Sequence, residues 1–183
     1  MKVIGFVGSP RKGGNTDRLV AEMLAGAGDA GHETEKVYLA AYALTPIDPV
    51  YGDDLNWTDA RQGVADELIE KIVAADVVVL GSPVYWFSIS GLMKLFIDRW
   101  TLYHRGNQRL RDLTAGKKIV VVLAMADADD SYVEAVLAPL RYAADWLKME
   151  WAGQIVATGV ADVGDIAARE DLLADARAIG QSL

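Results

Sequence analysis

At 183 residues the chain has the length of one ordinary domain with a sizeable core, and its net charge of −8 excludes a nucleic-acid surface, which needs a basic face to meet phosphates. Cysteine is absent, so disulfides, thiolate nucleophiles and cysteine-ligated zinc or iron–sulfur sites are excluded; His32 and His104 do not stand in a metal-like spacing, and no metal is expected. Apolar residues make up 52% of the chain but fall in short blocks. The longest, 119–126, cannot cross a bilayer, and the opening Met1-Lys2-Val3-Ile4-Gly5 runs into a strand-like segment without the build of a signal peptide. A cytoplasmic protein without a membrane partner is expected.

Residues 2–8 are almost continuously apolar, the mark of a strand covered by helices on both faces. A glycine-rich segment, 8–16, leads into a helix marked by Leu19, Met23 and Leu24. Residues 34–39 read as a more mixed strand, nearer a sheet edge. The stretch 40–57, with Pro46, Pro49 and several aspartates, is the one long irregular segment, and such a loop in a compact domain is more often functional than idle. Ala65, Leu68, Ile69, Ile72 and Val73 then fall at i, i+3, i+4, i+7 and i+8, one face of a second helix. A buried strand follows at 77–81, a helix from about 90 to 102, and another buried strand at 118–125. The fourth helix starts at Ser131, where Ser131-Tyr-Val-Glu134 has the form of a capping box, and runs to about 148 with Pro139 expected to kink it. A mixed strand at 151–158 and a helix over 166–181 complete the pattern.

Five strands alternating with five helices predict a doubly wound parallel α/β sheet in a single domain over 1–183. The common order for five strands is 2-1-3-4-5, with ligands outside the carboxyl ends of the strands where strands 1 and 3 diverge. That rule singles out two loops, 8–16 and 81–91.

The first reads Gly8-Ser9-Pro10-Arg11-Lys12-Gly13-Gly14-Asn15-Thr16. It offers hydroxyl and amide groups, close backbone approach at its glycines, the free N–H groups of a helix start, and two cations in an acidic protein. Such a nest suits a terminal phosphate. It also reads as a plain βα turn with Asn15 or Thr16 as N-cap. It is not a Walker A loop, because Gly13 is followed by Gly14-Asn15, and Gly5 and Gly8 do not complete a dinucleotide fingerprint. The second loop, Gly81-Ser-Pro-Val-Tyr-Trp-Phe-Ser-Ile-Ser-Gly91, carries three consecutive aromatics that cannot all enter the core. A flat, partly apolar ring system suits them, although packing under their own helix or an oligomer contact would also occupy them. A third loop, Ala126-Asp127-Ala128-Asp129-Asp130, lies at the same edge, and its acids suit the positive end of the fourth helix.

Together, 8–16 and the longer run 81–99 (Gly-Ser-Pro-Val-Tyr-Trp-Phe-Ser-Ile-Ser-Gly-Leu-Met-Lys-Leu-Phe-Ile-Asp-Arg) resemble the NAD(P)H-dependent FMN reductase family, of flavodoxin-like fold, and its iron–sulfur flavoprotein branch most of all. The resemblance covers roughly the first 125 residues. It implies an FMN phosphate on Ser9, Arg11, Lys12, Gly14, Asn15 and Thr16, and an isoalloxazine ring on Pro83, Val84, Tyr85, Trp86, Phe87 and Ser88. That branch carries a compact cysteine motif in the stretch matching 45–54; with no cysteine here, the cluster cannot form and the flavin works alone. The implied function is an FMN-dependent oxidoreductase taking hydride from NADPH or NADH and serving a quinone, free flavin or small electrophilic acceptor, with no side chain assigned as catalytic acid or base. The alternative is a flavodoxin-like electron carrier that docks to partner proteins. Leu92, Met93, Leu95, Phe96, Ile97 and Trp100 occupy nearly every azimuth of the third helix. One side packs on the sheet and the other needs cover, so a homodimer or homotetramer is expected, as the resemblance also implies.

Overall fold

The computed structural model describes residues 1–47, 50–51, 57–58, 62–103 and 110–183. Its elements run β1 (Lys2–Val7), α1 (Asn15–Asp29), β2 (Glu33–Tyr38), β3 (Val50–Tyr51), β4 (Trp57–Thr58), α2 (Gln62–Ala74), β5 (Val77–Tyr85), β6 (Ser88–Ile89), α3 (Gly91–Arg99), α4 (Leu110–Thr114), β7 (Lys118–Ala124), α5 (Val133–Trp146), β8 (Glu150–Ala157) and α6 (Glu170–Gln181). Short 3-10 turns follow β2 (Leu39–Ala41) and α3 (Trp100–Tyr103) and precede α6 (Asp165–Ala168).

The main sheet has six strands where five were expected: β2-β1-β5-β7-β8 are parallel, which is 2-1-3-4-5 when the parallel strands alone are counted, and the short β6 pairs antiparallel with β5. β1 shows why the strands read as continuous apolar runs. Ile4 and Phe6 enter the core layer shared with Leu68, Ile72, Phe96 and Leu140, while Val3 and Val7 enter the layer shared with Val20, Met23 and Ile166. Each large apolar side chain taken fully out of water contributes about 1.5–3 kcal/mol, so alternate residues drive helices onto both faces. On the second face α1 and α6 cross almost backbone to backbone. A Cβ at Gly26 would lie 2.0 Å from the Arg177 carbonyl oxygen, and one at Gly180 would lie 2.0 Å from that of Met23. At the other end of α1, a Cβ at Gly81 would meet Val20 Cγ2 at 2.4 Å, so the missing side chain lets the helix seat against β5.

Several boundaries differ from the sequence reading. β5 runs on to Tyr85 and turns back through Trp86 and Phe87 into β6, with Val84 opposite Ile89 and Tyr85 opposite Ser88. The start of α1 is capped by Gly14, not by Asn15 or Thr16. Ser131 does not cap the fourth helix: α5 begins at Val133, and the Ser131 N–H instead donates to Asp129 Oδ1 at 2.9 Å. Before α6, the backbone breaks at Arg169 after a 3-10 turn. A short extra helix, α4, precedes β7.

On α3, Leu92 and Ile97 pack half-buried against the core and Leu95 is also half-buried, so the helix leaves no fully exposed apolar face of the kind its sequence implied. Arg99, buried at its end, donates to the carbonyls of Thr45 and Pro46 at 2.7 and 3.3 Å and so anchors the start of the 40–57 stretch. The rest of that stretch contains the small β3–β4 pair; residues 48–49 and 52–56 of this loop, for which a functional role is expected, lie outside the described residues, as does His104.

Candidate functional site

At the carboxyl edge, β1 and β5 are joined where the two loops begin. Gly8 N–H donates to the Gly81 carbonyl at 2.7 Å, and the buried Ser90 hydroxyl donates to the Gly8 carbonyl at 2.7 Å. Ser90 also caps α3, its Oγ accepting from Met93 N–H at 3.1 Å, while its own N–H donates to Ser82 Oγ at 2.9 Å. Buried polar groups need such partners, and here the partners fix one loop against the other.

The first loop then folds as a compact nest. Arg11 N–H donates to Ser9 Oγ at 3.2 Å and Gly14 N–H to the Arg11 carbonyl at 3.1 Å. Gly13 takes φ of 74°, a left-handed conformation that glycine adopts without steric cost. Its N–H donates to Asp17 Oδ2 at 2.7 Å. Asp17 is only 3% exposed and also accepts from Lys36 Nζ at 2.8 Å and from the Tyr38 hydroxyl at 2.9 Å. Burial pushes the Asp17 pKa up, but the hydrogen bonds from Lys36, Gly13 and Tyr38 outweigh it and leave the group below the ordinary carboxylate value. The N–H groups that open α1 have no intrahelical carbonyl to bind.

A cleft of about 260 Å³ at this edge is lined by Ser9, Arg11, Gly14, Asn15 and Thr16 from the first loop and by Pro83, Val84 and Tyr85 from the second. Eight of the sequence-derived site residues therefore meet in one concavity, at the strand divergence that the topology singled out. The other four do not line it. Lys12 lies with Nζ 4.9 Å from the centre of the Tyr38 ring, on the outer side of the loop. Trp86 and Phe87 form a two-residue turn with φ of 49° and 60°, positions at which hairpins favour glycine and asparagine. Trp86 is 94% exposed, Phe87 packs edge-on against Tyr132 with ring centres 4.7 Å apart, and Ser88 pairs back onto Tyr85.

The remaining walls come from Ala126, at the start of the third loop expected at this edge, and from residues that sequence reasoning did not single out: Ala124 at the end of β7, and Val160, Ala161 and Val163 after β8. The strand-divergence rule points only to strands 1 and 3, and small apolar loop residues carry no signature of their own. Asn15 holds this last wall in place. Its Nδ2 donates to the Val160 and Asp162 carbonyls at 3.1 and 2.9 Å, and its Oδ1 accepts from Gly164 and Ile166 N–H at 3.3 and 3.2 Å. The Asn15 side chain is thereby occupied with protein, and only its backbone N–H remains for a ligand. Larger cavities, of about 480 and 490 Å³, lie between α2 and α4 and beside α1 and β2, away from this loop edge.

A parallel five-strand sheet with a polar nest and an apolar wall at the divergence of its first and third strands defines a flavodoxin-like α/β protein. The chain belongs to the NADPH-dependent FMN reductase family, whose model matches residues 1–180. It is 39% identical over 102 residues to an iron-sulfur flavoprotein of Methanocaldococcus jannaschii, an alignment covering 54% of this chain and 51% of that one. It is 27% identical over 202 residues to an FMN-dependent NADH:quinone oxidoreductase of Methylorubrum extorquens, covering 96% and 95% of the two. The chain spans about half the length of several curated relatives that it matches. In fold it is similar to the Trp repressor binding protein from Bacillus subtilis, with a TM-score of 0.75, 24% identity and 98% of each chain covered.

Proposed function

We propose that the cleft binds FMN, with the phosphate on the 9–16 loop and the ring along Pro83, Val84 and Tyr85, and that the protein is an oxidoreductase serving NADPH or NADH and a quinone, free flavin or other small electrophilic acceptor. The observation that carries this reading is the lining of this cleft, which brings Ser9, Arg11 and the start of α1 together with Pro83, Val84, Ala124, Ala126 and Val160. The cleft thus offers donors for a dianion where the walls are polar and contact for a flat ring where they are not.

Each residue's task follows from its position. The Ser9 hydroxyl, which accepts from Arg11 N–H, keeps its own proton to donate to a phosphate oxygen. The N–H groups of Asn15 and Thr16 donate to the same group, and Arg11 supplies positive charge at the rim. The backbone of Val84 and Tyr85 presents amides to the polar edge of the ring, Pro83 having no N–H, and Tyr85, 46% exposed, borders its open face. Lys12, Trp86, Phe87 and Ser88 act from outside the cleft, the two aromatics shaping the entry for a second substrate. FMN, when bound, supplies the redox chemistry between nicotinamide and acceptor; the protein binds, orients and leaves one side of the ring accessible. The sequence contains no cysteine, so a cluster of the kind named in the iron-sulfur relatives has no thiolate ligands here. The working form is taken to be a homodimer or homotetramer in the cytoplasm, and light scattering on the purified protein tests the oligomeric state.

Steady-state oxidation of NADPH and NADH by the purified yellow protein, with and without a quinone, tests the whole reading. A bound flavin that dithionite bleaches and neither pyridine nucleotide does would replace it with an electron carrier, a role that the net charge of −8 would suit.

A further inference from the structure

We infer that Asp17, Lys36 and Tyr38 form an electrostatic latch behind the 9–16 loop, and that Lys36, which does not line the cleft, is a positioning residue for the phosphate. The inference rests on the phosphate assignment proposed above and concerns how a buried carboxylate can coexist with a bound dianion.

Asp17 stands in the first turn of α1, where a carboxylate gains from the same positive helix end that a phosphate uses. The two anions therefore compete for one field. Asp17 earns its position by shaping the loop: its Oδ2 accepts the Gly13 N–H at 2.7 Å, which turns that donor away from the cleft and holds the left-handed residue in place. An unpaired carboxylate, 3% exposed, would oppose a phosphate across the loop. Lys36 cancels it. Its Nζ lies 2.8 Å from Asp17 Oδ1, while the Tyr38 hydroxyl donates to both carboxylate oxygens at 3.1 and 2.9 Å. Lys36 and Tyr38 share one face of β2, two residues apart, so the strand delivers both to α1 at once. The Tyr38 ring also supports Lys12 and Lys36, whose Nζ atoms lie 4.9 and 5.1 Å from its centre, so the latch grips the loop at residue 12 as well as residue 13. With Asp17 and Lys36 neutralising each other, Arg11 and Lys12 remain as net positive charge at the loop.

The test is the ratio of FMN to riboflavin affinity, because riboflavin carries the same ring without the phosphate, and a general loss of structure lowers both affinities together. Flavin-free full-length protein is titrated with each ligand by fluorescence. In Lys36→Met the ratio is expected to fall about tenfold for each phosphate charge, and so about a hundredfold for a dianion, the order set by one uncompensated charge about 10 Å away at an effective dielectric of about 20. Lys36→Arg is expected to keep the original ratio, and Asp17→Asn combined with Lys36→Met to restore it. Asp17→Asn alone, nearly isosteric and still able to accept from Gly13, is expected to raise the ratio, an increase that disappears in high salt. An unchanged ratio in Lys36→Met, a double variant as poor as Lys36→Met, or a lowered ratio in Asp17→Asn would each overturn the latch; the last of these needs no lysine variant to fold. Equal affinity for FMN and riboflavin in the unaltered protein would remove the phosphate from the loop, overturning that assignment and the latch with it.

Discussion

Replacing Asn15 with alanine separates two roles that the first loop combines. Its side chain makes four hydrogen bonds to the segment after β8, with donor–acceptor distances from 2.9 to 3.3 Å. A typical hydrogen bond contributes about 0.5–1.5 kcal/mol net, and two of these four are longer than 3.1 Å, so their sum is about 2–3 kcal/mol. Alanine returns about 0.5 kcal/mol through its higher helix propensity at the first position of α1. The net loss of about 2 kcal/mol lowers Tm by about 4–8 °C in a chain of this size. Because bound ligand stabilises by mass action, this is to be read on flavin-free protein by thermal unfolding, followed by titration with FMN. FMN affinity is expected to fall as well, since Val160, Ala161 and Val163 lose their tether. Arg11→Ala, by contrast, is expected to weaken FMN binding while leaving the flavin-free Tm within about 1–2 °C, because surface substitutions seldom exceed about 0.5 kcal/mol. An Asn15→Ala protein with unchanged flavin-free Tm and weakened FMN binding would refute the clamp and make the side chain a direct phosphate ligand.

Gly180→Ala places a Cβ 2.0 Å from the Met23 carbonyl oxygen, so α1 and α6 must part; overpacking of about 3 kcal/mol against about 1 kcal/mol of recovered helix propensity predicts a Tm lower by several degrees in a melting experiment. The Asp17 and Glu35 carboxyls are both held below their ordinary values, Asp17 by hydrogen bonds that outweigh its burial and Glu35 first by Lys71. Their contribution to stability is therefore complete above the unfolded carboxylate range and is lost as pH falls through the lowered folded values; Asp17→Asn is expected to flatten the acid side of a Tm–pH profile, and an unaltered profile would count against the buried pairing. Elemental analysis of the purified protein is expected to find no stoichiometric iron or sulfide, and either in stoichiometric amount would require ligands other than cysteine.

The parts of this protein that were legible in its sequence are those in which a local pattern and a global rule agree. Valine-rich runs at 2–8, 77–81 and 118–125 identified strands covered on both faces, and the divergence of strands 1 and 3 then selected the two loops that meet in the cleft. The hairpin at 85–88 escaped because its turn violates turn chemistry: Trp86 and Phe87 occupy positive-φ positions where glycine or asparagine is the usual sign, so the strand seemed to end at Gly81. Asn15 misled for the opposite reason. An asparagine at a glycine-rich helix start is ordinary N-cap chemistry, yet its four partners lie 145 to 151 residues further along the chain, where no local pattern reaches. Asp17 likewise looked like a routine acid in a first turn, and only the register of β2 brings Lys36 and Tyr38 to it. The misses at Asn15 and Asp17 concern side chains that hold the first loop from behind or from the segment after β8. The donors proposed for the phosphate are largely backbone groups and a nearby hydroxyl, which the loop motif itself supplies. The supports are side chains paired across the sheet, and their identity depends on strand order and register, so they become visible only once the fold is known.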